Sequence, residues 1–313
     1  MQTSVIVGTI STVLAASAIF TNGLFLVVLY KRPSLRKTFS PFQIAYLIGE
    51  IVFGIGSVVQ YVDLMRVVFI TPWYTAYYCI LTNFPLACSG IFLLMTALAL
   101  SVERLTALTW PEFFRNFNKK YVYTWITMFN TIFSIFLDLI SFYGINNDIK
   151  PKSCSPNAVR INYLRFTLSY FYCVSGILII LTYSAVYVQI WRKSALMFSL
   201  CNENGPNDRN QRAVMFRDEI KACRVISVLI IAFTLYYILP NLILAVTNFL
   251  NLTAAADVGV FVTFFASCNC LVGLPVYLWK DTNTRLVLSV KRYFKIGVTL
   301  FGCVMFTANG TKS

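Results

Sequence analysis

A chain of 313 residues with 58% hydrophobic and only 12% charged residues does not describe a soluble domain, where about a quarter of positions carry charge. The net charge of +14 does not point to nucleic acid, because Lys and Arg lie in short segments beside apolar runs rather than on an aromatic-interleaved face; membrane lipid fits that distribution better. His is absent, which removes His-ligated zinc chemistry, His-based triads and His-ligated haem together. Neither an enzyme nor a cofactor is expected.

Apolar runs occur at about 5–30, 41–62, 76–102, 121–143, 162–191, 225–250 and 258–279, each long enough to cross roughly 30 Å of hydrocarbon as a helix. The expected fold is all-α, a bundle of seven transmembrane helices over 1–279 with a tail over 280–313. In the first run Ala15, Ala16, Ser17 and Ala18 resemble a signal-peptide cleavage region. No basic segment precedes them, however, and Lys31 and Arg32 follow, so a retained helix is the better reading. The longest polar stretch, Arg192 to Arg224, is a loop between spans five and six.

Direction follows from charge. With seven spans, 21 of the 26 Lys and Arg residues fall on one face, and only Arg66, Lys150, Lys152, Arg160 and Arg165 on the other. The basic face belongs in the cytoplasm, which puts the N-terminus outside. In the tail, Leu286, Val287, Val290 and Phe294 recur at helical spacing against Arg285, Lys291, Arg292 and Lys295, the pattern of a short amphipathic helix on the inner leaflet. A disordered basic tail is the other reading.

Cys79 and Arg104 bracket the third span, and the 25 residues between them make roughly 37 Å of helix. Cys79 therefore reaches the outer surface and Arg104 the inner one. Of the nine cysteines, Cys88, Cys173, Cys268 and Cys270 lie within spans and Cys201, Cys223 and Cys303 on the cytoplasmic side. Only Cys79 and Cys154 remain in the oxidising compartment, and they are expected to form a disulfide.

Glu103 and Arg104 end the third span, where a charged pair can serve simply as an interfacial anchor. Together with Asn22-Gly23, Trp73, Cys79, Pro111, Pro240 and Pro275, the pair resembles the pattern of rhodopsin-like G-protein-coupled receptors across the whole span arrangement. The short N-terminus and the stretch Val102 to Pro111 are most similar to nematode serpentine chemoreceptors, of the gamma type or a related grouping. Two motifs depart from the superfamily pattern. The aromatic residue two before the sixth-span proline is Ile238, and the seventh-span motif is reduced to Leu274-Pro275-Val276-Tyr277-Leu278, which puts the usual aromatic switch in doubt.

The resemblance implies a chemosensory receptor of the plasma membrane, with the sensory cilium as a specialised location. Its implied partners are a small extracellular ligand and a heterotrimeric G protein, with a receptor dimer as a further option. Glu103, Arg104 and the inner loops would meet the G protein, with Asp218 or Glu219 pairing Arg104 at rest. Pro240, Pro275 and Tyr277 would belong to the switch, although proline is also common in membrane helices that do not hinge. Glu50 and Asp138 are intramembrane carboxylates and so candidate functional groups. Glu50 lies at a depth to meet Asn22, like the family's buried acidic residue. Asp138 is either a pocket residue or a snorkelling one.

Tyr170, Tyr236, Tyr237, Asn241, Phe264 and Phe265 lie in the outer halves of the spans and are candidate ligand contacts, against the alternative of an interfacial aromatic belt. Asn251-Leu252-Thr253 is a glycosylation sequon close to the bilayer. Retinal is excluded because 258–279 holds no Lys, and an amine ligand is disfavoured by Leu86 at the depth of the aminergic Asp. The rival readings are a ligand-gated channel, a transporter, or a non-signalling partner subunit. The charge bias opposes an insect-type channel with its N-terminus inside, and no repeat supports a transporter.

Overall fold

The computed structural model describes residues 2–31, 33, 39–69, 75–116, 119–143, 162–200, 231–250 and 261–271. Among these residues every regular element is helical. In chain order they are α1 (Gln2–Lys31), α2 (Pro41–Phe69), α3 (Ala76–Thr109), the short α4 (Pro111–Asn116), α5 (Lys119–Leu139), α6 (Asn162–Leu200), α7 (Leu239–Phe249) and α8 (Phe261–Leu271). Five of them, α1, α2, α3, α5 and α6, are long and apolar enough to cross a membrane, and two shorter apolar helices cover Ile231–Thr247 and Phe261–Leu271. The shorter two fall within the sixth and seventh runs of the sequence. Positions 225–230, 258–260 and 272–279 of those runs, the tail helix, Cys154, Glu219, Asn251, Pro275 and Tyr277 lie outside the described residues.

Helix ends follow local chemistry rather than hydropathy. α2 begins with a capping box: the Ser40 N–H donates to Gln43 Oε1 at 2.9 Å, the Phe42 N–H donates to Ser40 Oγ at 3.2 Å, and Pro41 occupies the first helical position, where its missing N–H costs nothing. Thr75 caps α3 by accepting from the Tyr78 N–H at 3.2 Å. At its other end α3 runs past the apolar stretch through Glu103 to Thr109. It stops at Trp110, with φ −128° and ψ 67°, because the residue before Pro111 is driven out of the helical region. The 34 residues of α3 span about 51 Å, well beyond the hydrocarbon thickness.

Burial is inverted relative to a soluble protein. Ile10, Val13, Ile132, Phe136, Ile177 and Leu181 are exposed, whereas Asn22, Glu50, Asn83, Thr96, Asn130 and Asp138 are buried. This is the arrangement of a bundle whose solvent is lipid. α3 occupies the centre, packed against α2, α5 and α6, while α1 lies on α2 and α7 on α6. A shared core of Phe53, Leu86, Leu94, Ile179, Phe233 and Tyr237 joins the helices.

Small residues set the close approaches. A Cβ added at Gly56 of α2 would lie 2.6 Å from the Leu86 backbone nitrogen of α3, and one at Gly54 would lie 2.7 Å from Ile19 of α1. Two glycines two residues apart thus let α2 sink against a neighbour on each side.

Candidate functional site

At one end of the bundle three elements converge on Glu103. Ser40 Oγ donates to Glu103 Oε2 at 2.6 Å and Tyr123 Oη donates to Glu103 Oε1 at 2.8 Å. Both carboxylate oxygens are thus engaged by hydroxyls of the α2 cap and of α5, not by the neighbouring Arg104. Hydrogen bonds to a charged acceptor are short and strong, and this pair ties α2, α3 and α5 together. The Tyr123 ring meets Phe42 edge-on at 4.8 Å, so the ring is fixed before its hydroxyl acts. Asp218 and Glu219, the acidic residues expected to pair with Arg104, lie outside the described residues.

Midway along the bundle lies a buried polar cluster. Asn22 Nδ2 of α1 donates to Glu50 Oε2 of α2 at 3.0 Å and to the Cys270 carbonyl of α8 at 3.2 Å. Next to it Asn269 Nδ2 donates to Tyr46 Oη at 3.2 Å. The two residues singled out on the first and second spans are therefore in direct contact, and α8 joins them through a backbone carbonyl that a reading of side chains does not reveal.

The stretch before α7 winds as a π-helix over Thr234–Ile238, in which the Leu239 N–H reaches the Thr234 carbonyl. Pro240 lacks an N–H and cannot serve the carbonyl one turn back, and a wider turn beside it redistributes the helix bonds. The extra residue aims Tyr237 inward, where its hydroxyl donates to the Gly90 carbonyl of α3 at 2.7 Å. The Tyr172 and Tyr237 rings lie 6.4 Å apart. Tyr236 faces α8, stacked with Phe265 at 6.4 Å, and Phe264 meets Phe265 edge-on at 5.4 Å. Ile238 is buried against Gly176 of α6.

Of the six aromatic and amide candidates, Tyr236, Phe264 and Phe265 come together, Tyr237 lies in the core, and Asn241 Nδ2 donates to the Tyr237 carbonyl of its own helix at 2.8 Å. Tyr170 is 60% exposed and lies on the lipid-facing side of α6. Tyr172, two residues on, faces the bundle instead.

At the end opposite Glu103, Cys79 is fully buried and disulfide-bonded. Nearby, Tyr78 Oη donates to Asp63 Oδ1 at 3.1 Å and accepts from Arg66 Nη1 at 3.2 Å, a polar triad unmarked by any sequence motif. Asp138 is 1% exposed, between α3 and α5. The Cys88 thiol donates to its Oδ2 at 3.6 Å, and Ser141 Oγ lies 3.5 Å from its Oδ1. A carboxyl so placed does not snorkel. Among the described residues no cluster of His, Cys, Asp and Glu could hold a metal ion.

A charged pair near the end of a central helix and a proline-linked irregular turn are features that the resemblance to serpentine receptors implies. Residues 16–289 match the profile of the serpentine type 7TM GPCR chemoreceptor family Srsx. The chain belongs to the Srsx family. The match covers most of the sequence, including the switch-region positions outside the described residues. It turns the resemblance to the gamma type or a related grouping into a specific assignment, and makes this Srsx chain a multi-pass membrane protein of the chemoreceptor class. Among curated proteins none matches it.

Proposed function

We propose that this Srsx chain is a plasma-membrane receptor that binds a small extracellular ligand near the Cys79 end and couples to a heterotrimeric G protein at the Glu103 end. The N-terminus is outside, as the charge bias favours, and Cys79 pairs with Cys154, which ties the second outer loop to the head of α3. The ligand acts by preferring an active arrangement already in equilibrium with the resting one.

The observation that carries this reading is the bridge from α3 to both α2 and α5 through Glu103. Its two hydroxyl bonds hold the resting geometry beside Arg104, and an outward shift of either partner helix breaks one of them. Tyr172, Tyr236, Tyr237 and Phe265 are the contacts through which ligand occupancy reaches α3, because Tyr237 bonds directly to Gly90.

The test is a calcium or cAMP readout in cells expressing the full chain, challenged with a panel of small metabolites and volatiles beside an Arg104→Ala control. A ligand response lost in that variant at equal surface expression supports coupling through Arg104. A response that Arg104→Ala leaves intact removes the proposed G-protein face.

A further inference from the structure

At the Glu103 end α2, α3, α4 and α5 enclose a cavity of about 430 Å³, within the roughly 300–1,000 Å³ of small-molecule sites. Its walls are mainly apolar, with Phe42, Met95, Leu98 and Ile126 among them. The lining residues Val102, Phe113 and Phe129 are 49%, 57% and 58% exposed, so the mouth opens sideways, toward lipid.

Two polar features decide what would fit. Asn130 lines the cavity, is 2% exposed, and has its Nδ2 buried without a hydrogen-bond partner. A donor left in this state in a membrane is costly, because neither water nor lipid tail can satisfy it. The terminal torsion of Asn is soft, so a turn of the carboxamide presents the donor to the cavity. The second feature is Glu103, which contributes to the wall while, among the described residues, no Lys or Arg does. An anionic occupant would meet that carboxylate, with no Lys or Arg among the described lining residues to offset it.

We propose that this cavity is a membrane-facing binding site for a neutral lipophile bearing one hydrogen-bond acceptor, a ketone or ester carbonyl, which accepts a hydrogen bond from Asn130 Nδ2 while its apolar body fills the space between α3 and α5. It is separate from the ligand site proposed near Cys79. Its occupant touches Tyr123 and Glu103, the pair that holds α3 to α5.

The experiment uses the full chain in phosphatidylcholine nanodiscs and a photoreactive diazirine derivative of undecanone, with labelled peptides mapped by mass spectrometry. Label is expected on α3 and α5 between Met95 and Asn130. Unlabelled undecanone should compete about tenfold better than undecane, the ratio that one net hydrogen bond of about 1.4 kcal/mol supplies, and better than undecanoate. Asn130→Leu should bring the ketone and the alkane to within about twofold, and Met95→Trp should remove the labelling by filling the cavity. If Met95→Trp does not yield monodisperse protein, Ala99→Phe is judged on the same readout. Equal competition by undecane, equal competition by undecanoate, a ketone preference that survives Asn130→Leu, or label spread over the lipid faces of α1 and α6 overturns the proposal.

Discussion

Glu103 carries two charge-assisted hydrogen bonds from groups more than 15 positions away on either side in sequence, Ser40 and Tyr123. A hydrogen bond to a charged group contributes about 1.5–3 kcal/mol, which is roughly ten- to a hundredfold in an equilibrium between resting and active arrangements. Tyr123→Phe and Ser40→Ala should therefore each raise ligand-independent signalling several-fold or more, measured as basal cAMP or calcium normalised to surface expression. Unchanged basal output in both would show that the contact does not restrain the switch. For Asn22 and Glu50 the appropriate measurement is a double-mutant cycle with Asn22→Leu and Glu50→Ala on thermal unfolding in detergent. The expected coupling is about 0.6 kcal/mol and no more than about 1.7, the range for polar pairs in membrane bundles.

These two pairs differ in how far a sequence exposes them. Asn22 and Glu50 stand out because polar residues are expensive inside apolar runs, and comparable depth on adjacent helices is enough to suggest contact. Ser40 and Tyr123 do not stand out. Hydroxyl residues at helix ends are commonplace, and only the folded approach of α2 and α5 gives these two their partner. Asn130 also interrupts an apolar run; what distinguishes it in the fold is that its buried Nδ2 has no hydrogen-bond partner.

Among elements, the tightest constraint is the seat of α2 between α1 and α3. Gly56→Ala would place a methyl group 2.6 Å from a backbone nitrogen of α3. Backbone cannot yield as a side-chain tip can, so α2 and α3 must separate, at a cost of about 1–3 kcal/mol. The variant should show a lower unfolding temperature in detergent, while Gly23→Ala, with nothing within 4 Å of its added Cβ, should be nearly neutral. Tyr237→Phe removes the hydroxyl bond to Gly90 and keeps the ring. It should weaken ligand response more than stability if the π-helical turn relays between the sixth segment and α3.

The first five spans are legible as apolar length because the bilayer imposes it. The overruns of α3 to Thr109 and α6 to Leu200 are not, since hydropathy reports where lipid is and says nothing of how far backbone bonding continues. Pro240 advertises an irregularity in the sixth segment, but its resolution as a wide turn over Thr234–Ile238 depends on Tyr237 finding Gly90 across the bundle.

For the whole molecule, direction across the bilayer is the first quantity to measure. An N-terminal epitope should be reached by antibody in intact cells, and exclusively intracellular staining would invert the proposed topology. Cys154→Ser should expose one additional alkylatable thiol, that of Cys79, under non-reducing conditions; one thiol fewer than in the parent chain would mean that Cys154 is free there and that Cys79 pairs elsewhere.

The inverted burial described above separates two ways in which this molecule can fail during biosynthesis. Translocation machinery judges each segment by its apolar length, and α1, α2, α3, α5 and α6 satisfy it whatever stands at Gly54 or Gly56. Lateral assembly comes afterwards and depends on those small residues and on the polar pairs among the helices. A chain carrying Gly56→Ala should thus be fully integrated and protease-protected like the parent, yet retained before the cell surface, a loss that a hydropathy profile would score as silent.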